Sequence, residues 1–528
     1  MATLDDFRSK EFLDQIMVLN EISGDKDAEN LPGLIDLLKN PVGDTSIDYM
    51  VVNALNAVLS SNEDMVIKGL SDTHAGLRTL CIRVAGEHGF RRAAEPLVAI
   101  AGTEKDPDQL MDILNSLARI ADPSVTPVFR AHLGHDDPFI KSACIEALGR
   151  LQDAGSVDSF KAMIIESEAP DRYEVCDITT WKAVEALSSF SGEETIGFLV
   201  EKLHHKNPTV RRIITDALTN MGKPTVSLLL KAFESGDIDM RILAANVLGF
   251  VGDRSGADGL VAAFDKGQAD DPNVRYAVYE ALGRIGTMKG IICLVDGLHE
   301  PDELLLMAVV GGLERHVNPG MTAALTGLIA KGDDQSDRLA KAVIATRATT
   351  IFDALYENAG AGDALVDVLA ESRDQEIIDE FRAVLDSIGG SRAEDDLDRL
   401  PQVAAGGRQA LAADDSRSMC AMHRAILTDL GFEPFMASNG EEAYDFIEQG
   451  KDFEVIITDM NMPVMDGMEL VGKVRHTPGY EEVPIIMVTT ESEASQQDMA
   501  RKAGVTAFIT KPFKPEALKA KILEVVGG

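Results

Sequence analysis

The chain has 528 residues, 45% of them hydrophobic and 26% charged, with a formal charge of -37. That composition is ordinary for folded domains, and the length calls for several domains or a repeat array. The acidity opposes binding to nucleic-acid phosphates and to anionic membrane surfaces, which both rely on Lys and Arg.

The five cysteines (Cys81, Cys144, Cys176, Cys293 and Cys420) are scattered and form no Cys-x-x-Cys pair. This argues against a disulfide framework or a zinc site. The start, MATLDDFRSKEF, is polar and acidic, and no apolar run reaches membrane length. The expectation is a cytoplasmic protein without a secretory leader.

In chain order, residues 1–30 are expected to form a capping helix. Residues 31–390 then repeat a motif. NPTVRRIITDALTNMG from Asn207, DPNVRYAVYEALGRIG from Asp271, DPFIKSACIEALGRLQ from Asp137 and DPDQLMDILNSLARIA from Asp106 share an Asp/Asn-Pro start, an aliphatic position, a frequent Arg and a small-Leu-small core. DIDMRILAANVLGFVG from Asp237 fits without the proline. The small position recurs at Ala54, Val84, Ser116, Ala147, Ala186, Ala217, Val247, Ala281 and Gly312, at intervals of 30 to 34 residues with one of 39. Looser units follow around Val343 and Val384.

Asp or Asn caps a helix, Pro occupies its first turn, and Gly222 or Gly286 ends it. Apolar residues at three- and four-residue spacing make one stripe that only a stacked neighbour can bury. The pattern resembles HEAT repeats, which implies an all-α solenoid of about eleven helix pairs. The long interval, EAPDRYEVCDITTW (168–181), reads as an enlarged loop, with Trp181 in the core. His204–His205, with no second ligand cluster nearby, reads as repeat surface.

Residues 391–408 are charged, with a Pro and paired Gly, and read as a linker. From 409 to 528 short apolar runs alternate with helical stretches: ALAA (410–413), PFMA (434–437), VIIT (455–458), IIMV (485–488) and TAFI (506–509). Five βα units predict a parallel sheet covered on both faces, with its ligand site at the carboxyl ends of the strands. Those ends carry Asp414 and Asp415, Asp459, Thr489 and Lys511. Three carboxylates sharing one mouth call for a hard cation such as Mg²⁺. Asp459 can then attack phosphorus while Lys511 and Thr489 bind the transferring oxygens. Met460, Met462, Met465 and Met468 read as packing.

Asp414–Asp415, DMNMPVMDG (459–467), VTT (488–490) and TKPF (510–513) occur in the order and spacing that resemble the receiver domain of two-component response regulators. The resemblance implies a flavodoxin-like (βα)5 fold with strand order 2-1-3-4-5. It implies that Asp459 is the phosphoacceptor, charged by a histidine kinase or a histidine phosphotransfer protein. Asp414, Asp415, Asp459 and the Asn461 backbone carbonyl would hold Mg²⁺. Thr489 and Phe508 would be switch residues, Lys511 would pair with phosphate, and the Lys511–Pro512 bond would be cis. Asn461 and Glu491 would set a short phosphoryl lifetime, with Thr490 crowding the site only modestly.

The whole chain then reads as a phosphorylation-regulated signalling protein. The HEAT-like array serves as protein-interaction output or scaffold, and the only catalysis is the receiver's own phosphorylation and dephosphorylation. Two alternatives rest on other HEAT-like proteins: a receiver-regulated enzyme resembling bilin lyases, and a nucleic-acid binder, which the charge disfavours.

Overall fold

The computed structural model describes residues 4–169, 176–403, 407–489, 494–511 and 513–527. The chain divides into two units, Met1–Ser167 with Asp177–Phe190, and Glu168–Cys176 with Ser191–Gly528. The boundary falls inside the long repeat interval. None of the described helices is long and apolar enough to cross a membrane.

The first unit is helical. Its caps follow the sequence: the Asp106 side chain accepts from the Asp108 and Gln109 amides, and that of Asp137 from Phe139 and Ile140, each ahead of a proline. Helix Phe12–Asp25 opens the unit. The small position of the motif has a packing cause. A Cβ added to Gly86 would lie 2.7 Å from Ser116 Cα, and one added to Gly149 would lie 2.9 Å from Ala186 Cα. In these two pairs the later helix meets a glycine of the preceding motif helix at backbone distance. Trp181 is not in the core: it is 45% exposed, with its indole N–H donating to Glu185 at 2.9 Å. Its position on helix Ile178–Ser188 lies outside the apolar stripe formed by Ala183, Val184 and Leu187.

In the second unit the same contact recurs where Gly283 meets Gly312 Cα, 2.5 Å from an added Cβ. The repeat arginine also gains a role. Arg211, Arg241 and Arg275 fold back to donate to the carbonyls of His205, Gly236 and Ala269, closing the loop before each helix. His205 is accordingly fully buried rather than on the surface, and its Nδ1 accepts from the Asn207 amide at 3.0 Å.

The expected linker is helical over Gly390–Arg399. Ala393 is buried there, and Tyr356 donates its hydroxyl to Asp396 at 2.8 Å. Gly389 and Gly390, at φ 68° and 87°, turn one helix into the next. Of the charges that suggested a linker, Glu394, Asp395, Asp398 and Arg399 are exposed, while Asp396 is turned inward to Tyr356.

The C-terminal α/β domain, whose elements are numbered separately here, runs β1 Arg408–Ala413, α1 Arg417–Asp429, β2 Phe432–Ala437, α2 Gly440–Glu448, β3 Phe453–Asp459, α3 Gly467–Arg475, β4 Ile485–Thr489, α4 Ala494–Ala503, β5 Ala507–Thr510 and α5 Pro515–Val526. The five strands are parallel in the order 2-1-3-4-5. Ile456, Leu411, Ile485 and Met487 fill one core, together with Met460, Met462 and Met465, and Met468 packs against it. The methionines are therefore packing residues.

His423 on α1 is fully buried, its ring 6.3 Å from that of Phe513 and nearly parallel to it, and neither ring nitrogen has a partner among the described residues. Burial pushes its pKa down to about 4, against the pull of nearby Asp414. The folded state therefore keeps the ring neutral, whereas the unfolded chain takes up a proton below about pH 6.5. Unfolding then binds a proton, so stability is lost as the pH falls from about 6.5 to about 4, by roughly 3 kcal/mol over that window. In thermal melts, His423→Leu is expected to flatten this acid limb; an unchanged limb would assign it to other groups.

Candidate functional site

Register brings the site together. Ala413 pairs with Ala437 and Thr458, Asp459 with Val488, and Thr489 with Thr510, so the chain leaves β1, β3, β4 and β5 at one edge. Asp414 and Asp415 follow β1, Asp459 ends β3, Thr489 ends β4 and Lys511 follows β5. Oxygens of Asp414, Asp415 and Asp459 lie within 4.8 Å of one another.

Lys511 Nζ stands 2.9 Å from Asp414 Oδ2 and 3.4 Å from Asp459 Oδ1. Asp414 also accepts from the Ser416 amide at 3.0 Å, which fixes its carboxylate. Thr489 is fully buried, and its carbonyl accepts from the Lys511 amide at 2.7 Å, tying β4 to the lysine loop.

The loop after β3 is shaped by its residues. Asp466 caps α3 in a reciprocal box with Glu469. Gly467 runs against the strand end, where an added Cβ would sit 2.1 Å from the Asp459 carbonyl oxygen; only glycine permits that approach. Phe508 is half-buried against the core, with the Arg501 guanidinium 5.4 Å from its ring centre. Thr490, Glu491 and Pro512 lie outside the described residues, as therefore does the expected cis bond.

Burial and like charge dominate the electrostatics. Burial pushes the Asp459 carboxyl up to about 8; Lys511 opposes this, while Asp414 and Asp415 add to it. Asp415 is pushed up to about 6, again chiefly by burial, with the Arg284 guanidinium pulling the other way. Burial works against the Lys511 ammonium, but Asp414 and Asp459 outweigh it and raise its pKa. Acidic oxygens this close, with one ammonium among them, form a donor set suited to a hard divalent cation.

Sequence reasoning missed the array residues that reach this mouth. Arg284 Nη2 lies 3.4 Å from Asp415 Oδ2. Arg211 Nη2 donates to Asn461 Oδ1 at 3.2 Å. Arg212 pairs with Glu469 at 3.1 Å. The only available signal was the Arg doublet at 211–212 and the Arg near the end of the Asp271 motif, and neither distinguishes a docking residue from a solvated one.

Both parts of the chain are similar to known proteins. Residues 410–523 match the family model described as response regulator receiver domain, and residues 111–177 and 226–314 match that described as HEAT repeats. A chemotaxis protein CheY homolog of Campylobacter jejuni is 47% identical over 118 residues, covering 22% of this chain and 91% of that protein. Chemotaxis protein CheY1 of Helicobacter pylori is 43% identical over 118 residues, covering 22% of this chain and 95% of that protein. Among solved structures, chemotaxis protein CheY4 of Vibrio cholerae matches at 39% identity and a TM-score of 0.22, covering 23% of this chain and 99% of that one. The receiver domain of sensor histidine kinase PA1611 from Pseudomonas aeruginosa, described with a magnesium ion coordinated in its active site cleft, matches at 24% identity and a TM-score of 0.22, over 23% of this chain and 100% of that one. By the family model over residues 410–523 and the near-complete coverage of the Campylobacter and Helicobacter proteins, the chain belongs to the response regulator receiver family through its C-terminal domain, joined to a helical region of HEAT repeats.

Proposed function

We propose that Asp459 accepts a phosphoryl group from a histidine kinase or a histidine phosphotransfer protein, and that the HEAT-repeat array is the protein-interaction output or scaffold that this event regulates. The observation that carries the reading is Lys511 Nζ set between Asp414 and Asp459, with a third carboxylate, Asp415, beside them.

An Asp459 oxygen attacks the phosphorus of a phosphohistidine. The new O–P bond forms as the P–N bond breaks, and the imidazole leaves with the bonding pair. The Lys511 ammonium and the Thr489 hydroxyl are the groups of this chain that bind the transferred oxygens. Asp414, Asp415, Asp459 and the Asn461 carbonyl would hold Mg²⁺, which when bound draws negative charge from the phosphoryl group. Water later cleaves the O–P bond, returning the carboxylate and inorganic phosphate. Asn461, with Glu491, would make this return fast. Phe508 and the β5 face would carry the change outward. The chain's catalysis is confined to its own phosphorylation and dephosphorylation.

Beryllofluoride, a non-covalent phosphoryl mimic, tests the reading. Fluorine NMR of the full chain should show bound resonances only when magnesium is present. Lys511→Met should weaken that binding and slow labelling by acetyl phosphate by about 100-fold, the scale of one preorganised electrostatic contact. Magnesium-independent binding, or no binding by the folded chain, would contradict it.

A further inference from the structure

Within the second unit the mouth around Asp459 faces array helices Pro208–Met221 and Pro272–Ile285. Contacts reach the loop after each of three strands. After β1, Arg284 Nη2 lies 3.4 Å from Asp415 Oδ2, and its guanidinium sits 4.5 Å from the centre of the Phe250 ring. Glu280 Oε1 accepts from Ser418 Oγ at 2.6 Å and from Ser416 Oγ at 3.1 Å, and Tyr276 shares hydrogen bonds with the same two hydroxyls. After β3, Arg211 donates to Asn461 Oδ1 through Nε and Nη2, at 3.4 and 3.2 Å. After β5, Asn273 Nδ2 donates to the Lys511 carbonyl at 3.3 Å.

What remains between the two surfaces is a cavity of about 200 Å³, with Asp414, Asp415, Asp459 and Lys511 on one wall and Arg211 and Arg284 on the other. Asp459 keeps only 7% of its exposure. A helix is about 10 Å across with its side chains. Among the described residues, while these contacts hold, the space before Asp459 is too small for a histidine carried on a partner's helix, whereas a small phosphodonor and a metal ion fit it.

Charge gives the arrangement a direction. Three carboxylates and one ammonium leave the mouth anionic, and the array cation Arg284 lies 3.4 Å from Asp415, a carboxylate expected to bind metal. A divalent ion at that carboxylate would neutralise the mouth and repel the guanidinium.

Resting on the reading of Asp459 as phosphoacceptor, we propose that this face of the array is a docking site for the acceptor face of the chain's own receiver, with Arg284 standing in for the metal at Asp415. Docking and Mg²⁺ binding then oppose each other. By linkage, whatever loosens one strengthens the other by the same factor. Arg211 contacts Asn461, expected to set the phosphoryl lifetime, so release of the array also ends that contact.

The test is magnesium titration of the full chain by calorimetry, paired with hydrogen exchange of the peptide covering 272–285. Arg284→Ala should bind Mg²⁺ about tenfold more tightly than the wild type. Removing a cation near the metal could do this through charge alone, so Tyr276→Phe is the decisive variant. It leaves every charge in place and removes only hydrogen bonds across the interface. It should tighten Mg²⁺ binding by about threefold, the scale of one net hydrogen bond, and raise exchange in the 272–285 peptide. Saturating Mg²⁺ should raise the same exchange in the wild type. Unchanged Mg²⁺ affinity and exchange in Tyr276→Phe would overturn the docking proposal while leaving the receiver reading intact. Failure of the folded wild type and both variants to bind Mg²⁺ at all would overturn the receiver reading itself.

Discussion

Asp459→Asn is expected to abolish magnesium-dependent phosphorylation by acetyl phosphate, with no slower residual reaction at that position. The amide is nearly the size of the carboxylate, so the fold around β3 is kept. It carries no negative charge and cannot form the acyl phosphate. It also removes one of three carboxylates from the metal donor set, so magnesium binding weakens. The same change relieves a cost. Burial and the neighbouring Asp414 and Asp415 disfavour the charged form of Asp459, and a neutral group in its place escapes both. In metal-free buffer near neutral pH the variant should be the more stable protein, on the order of 1–2 kcal/mol. Intact mass spectrometry and thermal melts measure the two effects. Loss of label with loss of stability would indicate damage to the fold instead of removal of the nucleophile.

Asp374→Ala is the second large effect, and it acts far from the acceptor. Arg424 on α1 and Asp374 at the start of array helix Gln375–Ile388 form an ion pair at 3.2 Å, with side chains only 5% and 7% exposed. Arg424 also reaches the exposed Glu376 at 2.8 Å, and Thr428 donates to Asp374 at 3.3 Å. The Asp374 carboxylate caps its helix as well, accepting from the Glu376 and Ile377 amides. Truncation leaves a buried guanidinium with one solvated partner, which costs about 3–5 kcal/mol, and removes a cap worth about 1 kcal/mol. Hydrogen exchange in Arg417–Asp429 should rise steeply, and the melting temperature of the full chain should fall. Asp374→Asn, which keeps most of the hydrogen bonds, should fall between. A loss below about 1 kcal/mol would mean that solvent reaches Arg424 after all.

The placement of the candidate site was legible because its cues are local. Asp414, Asp415, Asp459, Thr489 and Lys511 each follow a short apolar run, and a parallel sheet must gather such ends at one edge. The methionines after Asp459 were legible for the same reason, since an apolar loop beside a buried strand packs inward. The repeat frame was legible from its caps and its small residues, which Gly86 against Ser116 and Gly283 against Gly312 explain as backbone contacts.

What escaped depends on pairs distant in sequence. Arg211 reads as a repeat arginine, and closing its own loop through His205 is what buries that histidine. Nothing local says that its other nitrogens meet Asn461. Tyr276 and Glu280 look like one turn of an exposed helix until Ser416 and Ser418 arrive across the interface. The helix Gly390–Arg399 escaped because charge and paired glycines usually break helices. Here the glycines make the bend, and Ala393 supplies an apolar inner face.

The claim on which the rest depends is that one carboxylate among several receives phosphate. Incubating the full chain with acetyl phosphate and magnesium, reducing the product with borohydride and mapping the reduced residue by peptide sequencing locates it. The account predicts homoserine at position 459 and at no other aspartate, with none formed when magnesium is chelated. Reduction at Asp414, Asp415 or an aspartate of the array, or a fully folded chain that takes up no phosphate, would contradict it.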